Sequence, residues 1–329
     1  MRRSLTLPLG LRLLAIAAVA GAIAWLPTTM SDYHRLQGAG VGVFFMAILG
    51  LNIVTGYTGQ ISIGHGAFMA IGGYTTAILT AHHGWNDVAT IPIAAVVGFG
   101  AGVVVGLPAL RLSGVYLALA TFAVALAVPQ LAKNYSTFTG GTQGTPLPSH
   151  TGSWLYGASW TLSAILFVLA WLILRGRIGR AFRAVRDSEV AATSSGVSLP
   201  IYKTLAFGIS AGFAAVAGSM YVLDNAFVNP DIFGLTLSLY ILIGAAVGGL
   251  GSLWGVIVGA VFVQLLPTGL SSTPALRAHE AAPVIFGAIL IIAMILVPRG
   301  AADLLRAAVR PLTSGLASTS KSVPSEMED

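Results

Sequence analysis

RGRIGRAFRAVRDSEVAATSSGVSLPIYK, residues Arg175 to Lys203, interrupts two strongly apolar regions and holds a large share of the chain's charge. On a helix, at about 100° per residue, Arg177, Arg180, Arg183, Arg186 and Asp187 share one half of the cylinder. Ile178, Ala181, Phe182, Val185 and Ala192 share the other, so the spacing predicts one amphipathic helix. Glu189 projects from the middle of the apolar face, where a carboxylate is costly unless a partner pairs with it. Such a face is expected to meet another protein. Gly196 and Pro200 end the helix, and Lys203 opens the next apolar run. Two blander readings compete. One is a solvated basic loop that only sets membrane orientation. The other is a helix lying on lipid headgroups, although such helices seldom centre a carboxylate on the buried face.

Of 329 residues, 56% are hydrophobic and only 9% are charged. Soluble domains carry about 25% charge, so the composition is that of an integral membrane protein. A span needs about 20 apolar residues, so spans fill most of the length and leave no room for a separate soluble domain. The absence of cysteine removes disulfides, thiolate catalysis and Cys-ligated metals. The formal charge of +6 needs no nucleic acid to explain it, because Lys and Arg gather at the ends of apolar runs.

Arg2, Arg3 and Arg12 precede the run Leu13 to Leu26, which reads as an uncleaved first span, although Ala22-Ile23-Ala24 resembles a signal-peptide cleavage site. Further spans are expected at 38–55, 61–80, 90–108, 115–132, 157–174, 204–222, 233–248, 253–270 and 281–297. The expected fold is therefore an all-α polytopic membrane protein of about ten transmembrane helices, with eight as the lower bound, and an amphipathic cytoplasmic helix. Alternating the spans places Arg2, Arg3, Arg12, Arg111, Arg175, Arg177, Arg180, Arg183, Arg186, Lys203, Arg299, Arg306, Arg310 and Lys321 inside. Only Arg35, Lys133 and Arg277 fall outside, which puts both termini and the Arg175–Lys203 segment in the cytoplasm. Residues 1–310 read as one membrane domain that contains the 175–203 segment, and 311–329 as a disordered cytoplasmic tail.

The segment GYTGQISIGHGAFMAIGGYTTAIL, Gly56 to Leu79, carries Gln60, Ser62, His65 and Tyr74 among apolar residues and glycines, just after Asn52. Irregular backbone at membrane depth is tolerated only where protein or a water-filled cavity satisfies it. The segment is thus a candidate lining of a translocation path, together with Tyr116 and Thr121; the competing reading is a tight turn whose polar side chains cap a helix start. Most of the 40 glycines, such as Gly98, Gly102 and Gly106 or Gly244, Gly248, Gly255 and Gly259, read as close helix packing. No Gly-Lys-Ser/Thr of a phosphate-binding loop occurs, and Gly249-Leu-Gly251 has Trp254 where a dinucleotide motif needs its third glycine. Asp32, Asp87, Asp224, Asp231 and Glu280 fall near the outer surface, which weakens proton or sodium coupling. A path without ion-coupling groups and a docking helix fit a pump subunit powered from elsewhere. A self-sufficient carrier or channel is the runner-up, and a membrane enzyme lacks a nucleophile, base or metal constellation.

Four motifs in order resemble one family: GYTGQISIGHGAF with IGGYTTA, Gly56 to Ala77; LRLSGVYLALATF, Leu110 to Phe122, followed by TGGTQG, Thr139 to Gly144; Gly176 to Ala211; and GGLGSLWGVIVGA, Gly248 to Ala260. The chain is similar, over roughly Gly40 to Pro298, to the LivM-type permeases of branched-chain amino-acid ABC importers. The resemblance implies a heteromeric importer of the bacterial cytoplasmic (inner) membrane, with a LivH-type permease, two ABC ATPase subunits and an extracytoplasmic substrate-binding protein. It also implies that Arg180, Phe182, Arg183, Asp187, Glu189 and Gly196 form the ATPase-coupling segment. ATP and magnesium would then belong to the ATPases, with no cofactor on this chain. The solute would be a branched-chain or other amino acid, urea or an amide, or an aromatic acid. Two departures stand out: Glu189 to Gly196 is one residue longer than Glu-Ala-Ala-x-x-x-Gly, and Val256 replaces a frequent proline.

Overall fold

The computed structural model describes residues 30–272 and the isolated positions 285, 287 and 288. The expected first span, the rest of the 281–297 span and the tail lie outside the described residues.

Helix α1, Asp32–Leu51, runs on into a π-helical turn, Asn52–Tyr57. It is apolar on every side and almost wholly buried, as a helix hydrophobic all round must be. Helices α2, His65–His83, α3, Asp87–Ala109, α4, Val115–Asn134, and α5, Gly152–Arg175, follow. The polar interruption folds as α6, Arg177–Asp187, and α7, Glu189–Ser194, before α8, Leu199–Asn225. A 3-10 turn, Pro230–Phe233, leads into α9, Leu235–Gly248, and α10, Gly255–Ser272, is the last described helix.

Among the described residues, six helical segments are long and apolar enough to cross a membrane. Every expected span within 30–272 contains a helix, and the correction concerns 61–80. Residues 58–64 are not helical, and α2 begins only at His65. The glycines at Gly59, with φ +72°, and Gly64 suit the irregular backbone there.

Two buried helices organise the body. Against α1, α5 donates Trp160 Nε1–H to Gly38 O at 3.1 Å and Ser163 Oγ–H to Gly42 O at 3.0 Å. On α8, a stripe of small residues lets backbones approach: Ala215 lies against Gly72 and Gly98, Ala211 against Gly102, and Gly218 against the Met69 carbonyl. α3, α4 and α5 expose Val96, Val104, Leu119, Leu126 and Val168 outward, which suits lipid.

At one end of the bundle, strand β1, Thr145–Pro146, pairs antiparallel with β2, Phe227–Val228. Lys133 bridges Asp231 at 2.6 Å, and Asp87 bridges His150 at 2.6 Å while accepting from Thr80 Oγ–H. The loops expected to share the outer side are therefore tied together, and the α6–α7 segment sits at the opposite end.

Candidate functional site: the coupling segment and the irregular backbone beneath it

The single predicted amphipathic helix is two helices. Ser188 leaves helical geometry at φ −163° and ψ 117°, and its hydroxyl accepts from Ala191 N–H at 3.3 Å as the N-cap of α7. Gly196, at φ +80°, closes α7: its N–H reaches Thr193 O and Val197 N–H reaches Ala192 O, the two bonds of a Schellman motif. The long spacing from Glu189 to Gly196 thus holds one complete short helix between two caps.

The apolar face turns inward and not toward another protein. Phe182 is fully buried and meets Tyr202 of α8 edge-on at 6.4 Å, with Ala181, Val185 and Ala192 buried beside it. Phe182 therefore anchors the segment and presents no surface for an ATPase. Glu189 also departs from expectation, because it is paired: its carboxylate lies 2.7 Å from Lys203 Nζ. Lys203 is only 5% exposed whereas the Glu189 side chain is 48% exposed, so the bridge ties the surface of α7 to a buried cation on α8. Arg180, Arg183, Asp187 and Val190 face outward, Val190 with 79% of its surface free. Arg183 also donates to Leu174 O at 3.3 Å, answering a carbonyl at the end of α5.

Arg186, read in the sequence only as part of a polar face, connects this segment to the membrane body. Its guanidinium donates to Gly56 O in the π-helical turn and lies beside Gly251. In the same turn, Asn52 accepts from Gly251 N–H at 2.7 Å and donates to Ser252 O at 2.9 Å. Asn52 thus stitches the turn to the α9–α10 loop. Both groups it serves are backbone, so Asn52→Leu strands a donor and an acceptor at about 1–3 kcal/mol each. A lowered melting midpoint of the purified chain, with the protein still inserted in the membrane, is the expected result.

Gln60, Ser62, His65 and Thr121 come together around residues 58–66, each no more than 6% exposed. Thr121 Oγ accepts from Ile63 N–H at 3.0 Å, and Ser238 Oγ of α9 accepts from Gly66 N–H at 2.9 Å. These bonds satisfy irregular backbone with side chains from two neighbouring helices, so capping is part of what the polar residues do. Tyr116 does not join them: it is 72% exposed on the first turn of α4. A cleft of about 210 Å³ lies between α3 and α4, lined by Val104, Leu117 and Thr121 among others. Among the described residues, no group of three His, Asp or Glu is placed to hold a metal.

Apolar helices thus surround buried irregular backbone, and a polar two-helix segment is keyed into it, as in a polytopic membrane protein. The family model described as the permease component of a branched-chain amino acid transport system matches residues 39–294, and the chain belongs to this family. It is 31% identical to the high-affinity branched-chain amino acid transport system permease protein LivM of Salmonella typhimurium, over 93% of this chain and 78% of that one. LivM of Escherichia coli is 31% identical over 88% of this chain and 74% of its own. LivH of Escherichia coli is 28% identical over 81% of this chain and 94% of its own. No solved structure matches the chain.

Proposed function

We propose that this chain is one permease subunit of an ATP-driven importer of branched-chain or closely related amino acids. It pairs with a LivH-type permease, receives solute from an extracytoplasmic binding protein and is driven by two separate ATPases. The reading carries about ten spans, with both termini and α6–α7 in the bacterial cytoplasm.

The observation that carries it is the link from α7 to the membrane body. α6–α7 presents Arg180, Arg183, Asp187 and Val190 outward, while Phe182, Lys203 and Arg186 hold it from beneath. A push on Val190 or Glu189 is transmitted through Arg186 to Gly56, and through Asn52 to Gly251 and Ser252, without rearranging the apolar core. The ATPase contact therefore rests on the exposed rim of α7, with the outer half of the Glu189 carboxylate available to a donor on the ATPase.

Glu189→Ala removes that contact and also leaves Lys203 without its counter-charge. Losing one partner of a buried pair costs about 3–5 kcal/mol, and the half-exposed carboxylate brings this toward the low end or below. In proteoliposomes holding the full importer, the variant is expected to insert normally but to lose binding-protein-stimulated uptake per ATP hydrolysed. Wild-type coupling in Glu189→Ala would remove the role of α7. Solute uptake by this chain alone, without ATPases, would remove the whole reading.

A further inference from the structure

Among the described residues, three side chains in the six residues from Gln60 to His65 bury an atom without a hydrogen-bond partner: Gln60 Oε1, Ser62 Oγ and His65 Nδ1. The identity of two of them follows from hydrogens already committed. Thr58 Oγ–H donates to Val54 O, so the 3.0 Å contact with Gln60 requires the Gln60 amide nitrogen to donate and leaves its oxygen bare. Ser210 Oγ–H donates to Gly50 O at 2.6 Å, so His65 donates from Nε2 across 2.9 Å, which leaves Nδ1 a bare acceptor.

These acceptors belong to one stretch of chain beside the end of α1. Gln60 N–H donates to Val54 O in the π-helical turn, while Ser210, the partner of His65 Nε2, donates to Gly50 O on α1 about one helical turn earlier. Ser62 lies between them in sequence and is fully buried. The same place holds a second kind of polarity. The 19-residue helix α2 starts at His65, and α9 starts at Leu235, close enough for Ser238 to bond Gly66 N–H. Helix starts attract negative charge, and bare acceptors attract N–H donors. One chemical head answers both: an ammonium and a carboxylate held a few ångströms apart on one carbon.

We infer that Gln60, Ser62 and His65, with the starts of α2 and α9, form a transit site for the zwitterionic head of an α-amino acid. Gln60 Oε1 and His65 Nδ1 receive the ammonium, the Ser62 hydroxyl serves either group, and the carboxylate faces the helix starts. The site is closed in this structure. Thr121 of α4 covers it through Ile63, and the cleft beside Thr121 gives α4 room to shift. The site takes uncharged acceptors only, so it holds the solute weakly enough to release it.

This inference rests on the proposed importer function, and the test separates the two. The importer, with its ATPases and binding protein, is reconstituted with Ser62→Ala or Gln60→Met in this chain. Ser62→Ala removes only an unpartnered buried polar atom, so an unchanged or raised melting midpoint is expected, whereas Gln60→Met also gives up the amide's bond to Thr58 Oγ and should lower the midpoint slightly. Leucine uptake at saturation is expected to fall about five- to ten-fold, the worth of roughly one hydrogen bond, while binding-protein-stimulated ATPase activity persists. In the vanadate-trapped wild type, leucine is expected to move the ¹⁵N resonance of His65 Nδ1 toward that of a hydrogen-bonded nitrogen. Wild-type uptake in both variants, or a His65 resonance that is the same with and without leucine, would overturn the site. Absence of ATPase stimulation in the unmodified importer would instead overturn the function on which it rests.

Discussion

Phe182→Ala is expected to unseat the coupling segment while leaving the spans in place. The ring is fully buried between α6 and α8, and truncating a buried phenylalanine costs about 3–5 kcal/mol. Neighbours cannot collapse into the gap easily, because Ala181, Val185 and Ala192 already fill the rest of that face with small side chains. Most of the loss falls on α6–α7, which has few other apolar anchors. Limited proteolysis reads this directly: cleavage around Ser188 should accelerate many-fold, and ATPases should no longer co-purify. Wild-type resistance to protease would show that Arg186 and the Glu189–Lys203 bridge hold the segment without the ring.

Gly218→Leu and Gly72→Leu are expected to yield no stable protein. A Cβ on Gly218 would fall closer to the Met69 carbonyl than any real side chain comes, and one on Gly72 would do the same to the Ala215 carbonyl. Ordinary overpacking costs about 1–3 kcal/mol, but here the obstacle is backbone, so α2 and α8 must part along their length. Ser219 Oγ–H, shared between Gly72 O at 3.2 Å and Ala215 O at 3.0 Å, would keep only the acceptor on its own helix as they part. Gly100→Ala is the control, since nothing lies within 4 Å of the position. Its melting midpoint should match the wild type, and recovery of folded Gly218→Leu in similar yield would refute the close-packed seam.

Legibility in the sequence followed the range of the forces involved. Spans such as 90–108 and 115–132 were readable because desolvation acts on every residue of a run, and α3 and α4 begin and end within a few residues of those limits. The break at Ser188 left a weaker trace, a capping serine before Glu189, which a smooth helical periodicity hides. The partner of Glu189 was not readable. Lys203 returns to it only because Gly196 reverses the chain, so no spacing within one helix pairs them. Asn52 and Gly251 are 199 residues apart, and their bond depends on how α1 and α9 pack. Sequence alone puts Gln60, Ser62 and His65 in one buried polar cluster and Tyr116 with Thr121 in another; the structure buries Thr121 beside the first cluster and leaves Tyr116 exposed, because helical phase alone does not say which side meets lipid.

The almost complete burial of α1 has a consequence for synthesis. This helix leaves the ribosome ahead of α5, α8 and α10, the three helices that cover most of it. Gly40, for example, faces Gln264 of α10, which is made more than two hundred residues later. Until then α1 must wait in lipid, which is as apolar as its side chains and so gives it little reason to pair wrongly. Asn52 is the exception, for its amide has no partner until Gly251 and Ser252 are made. A late stitch of assembly is therefore made at the end of α1 that faces the coupling segment. A nascent chain halted before Gly251 would hold its helices without the joint through which they are to be moved.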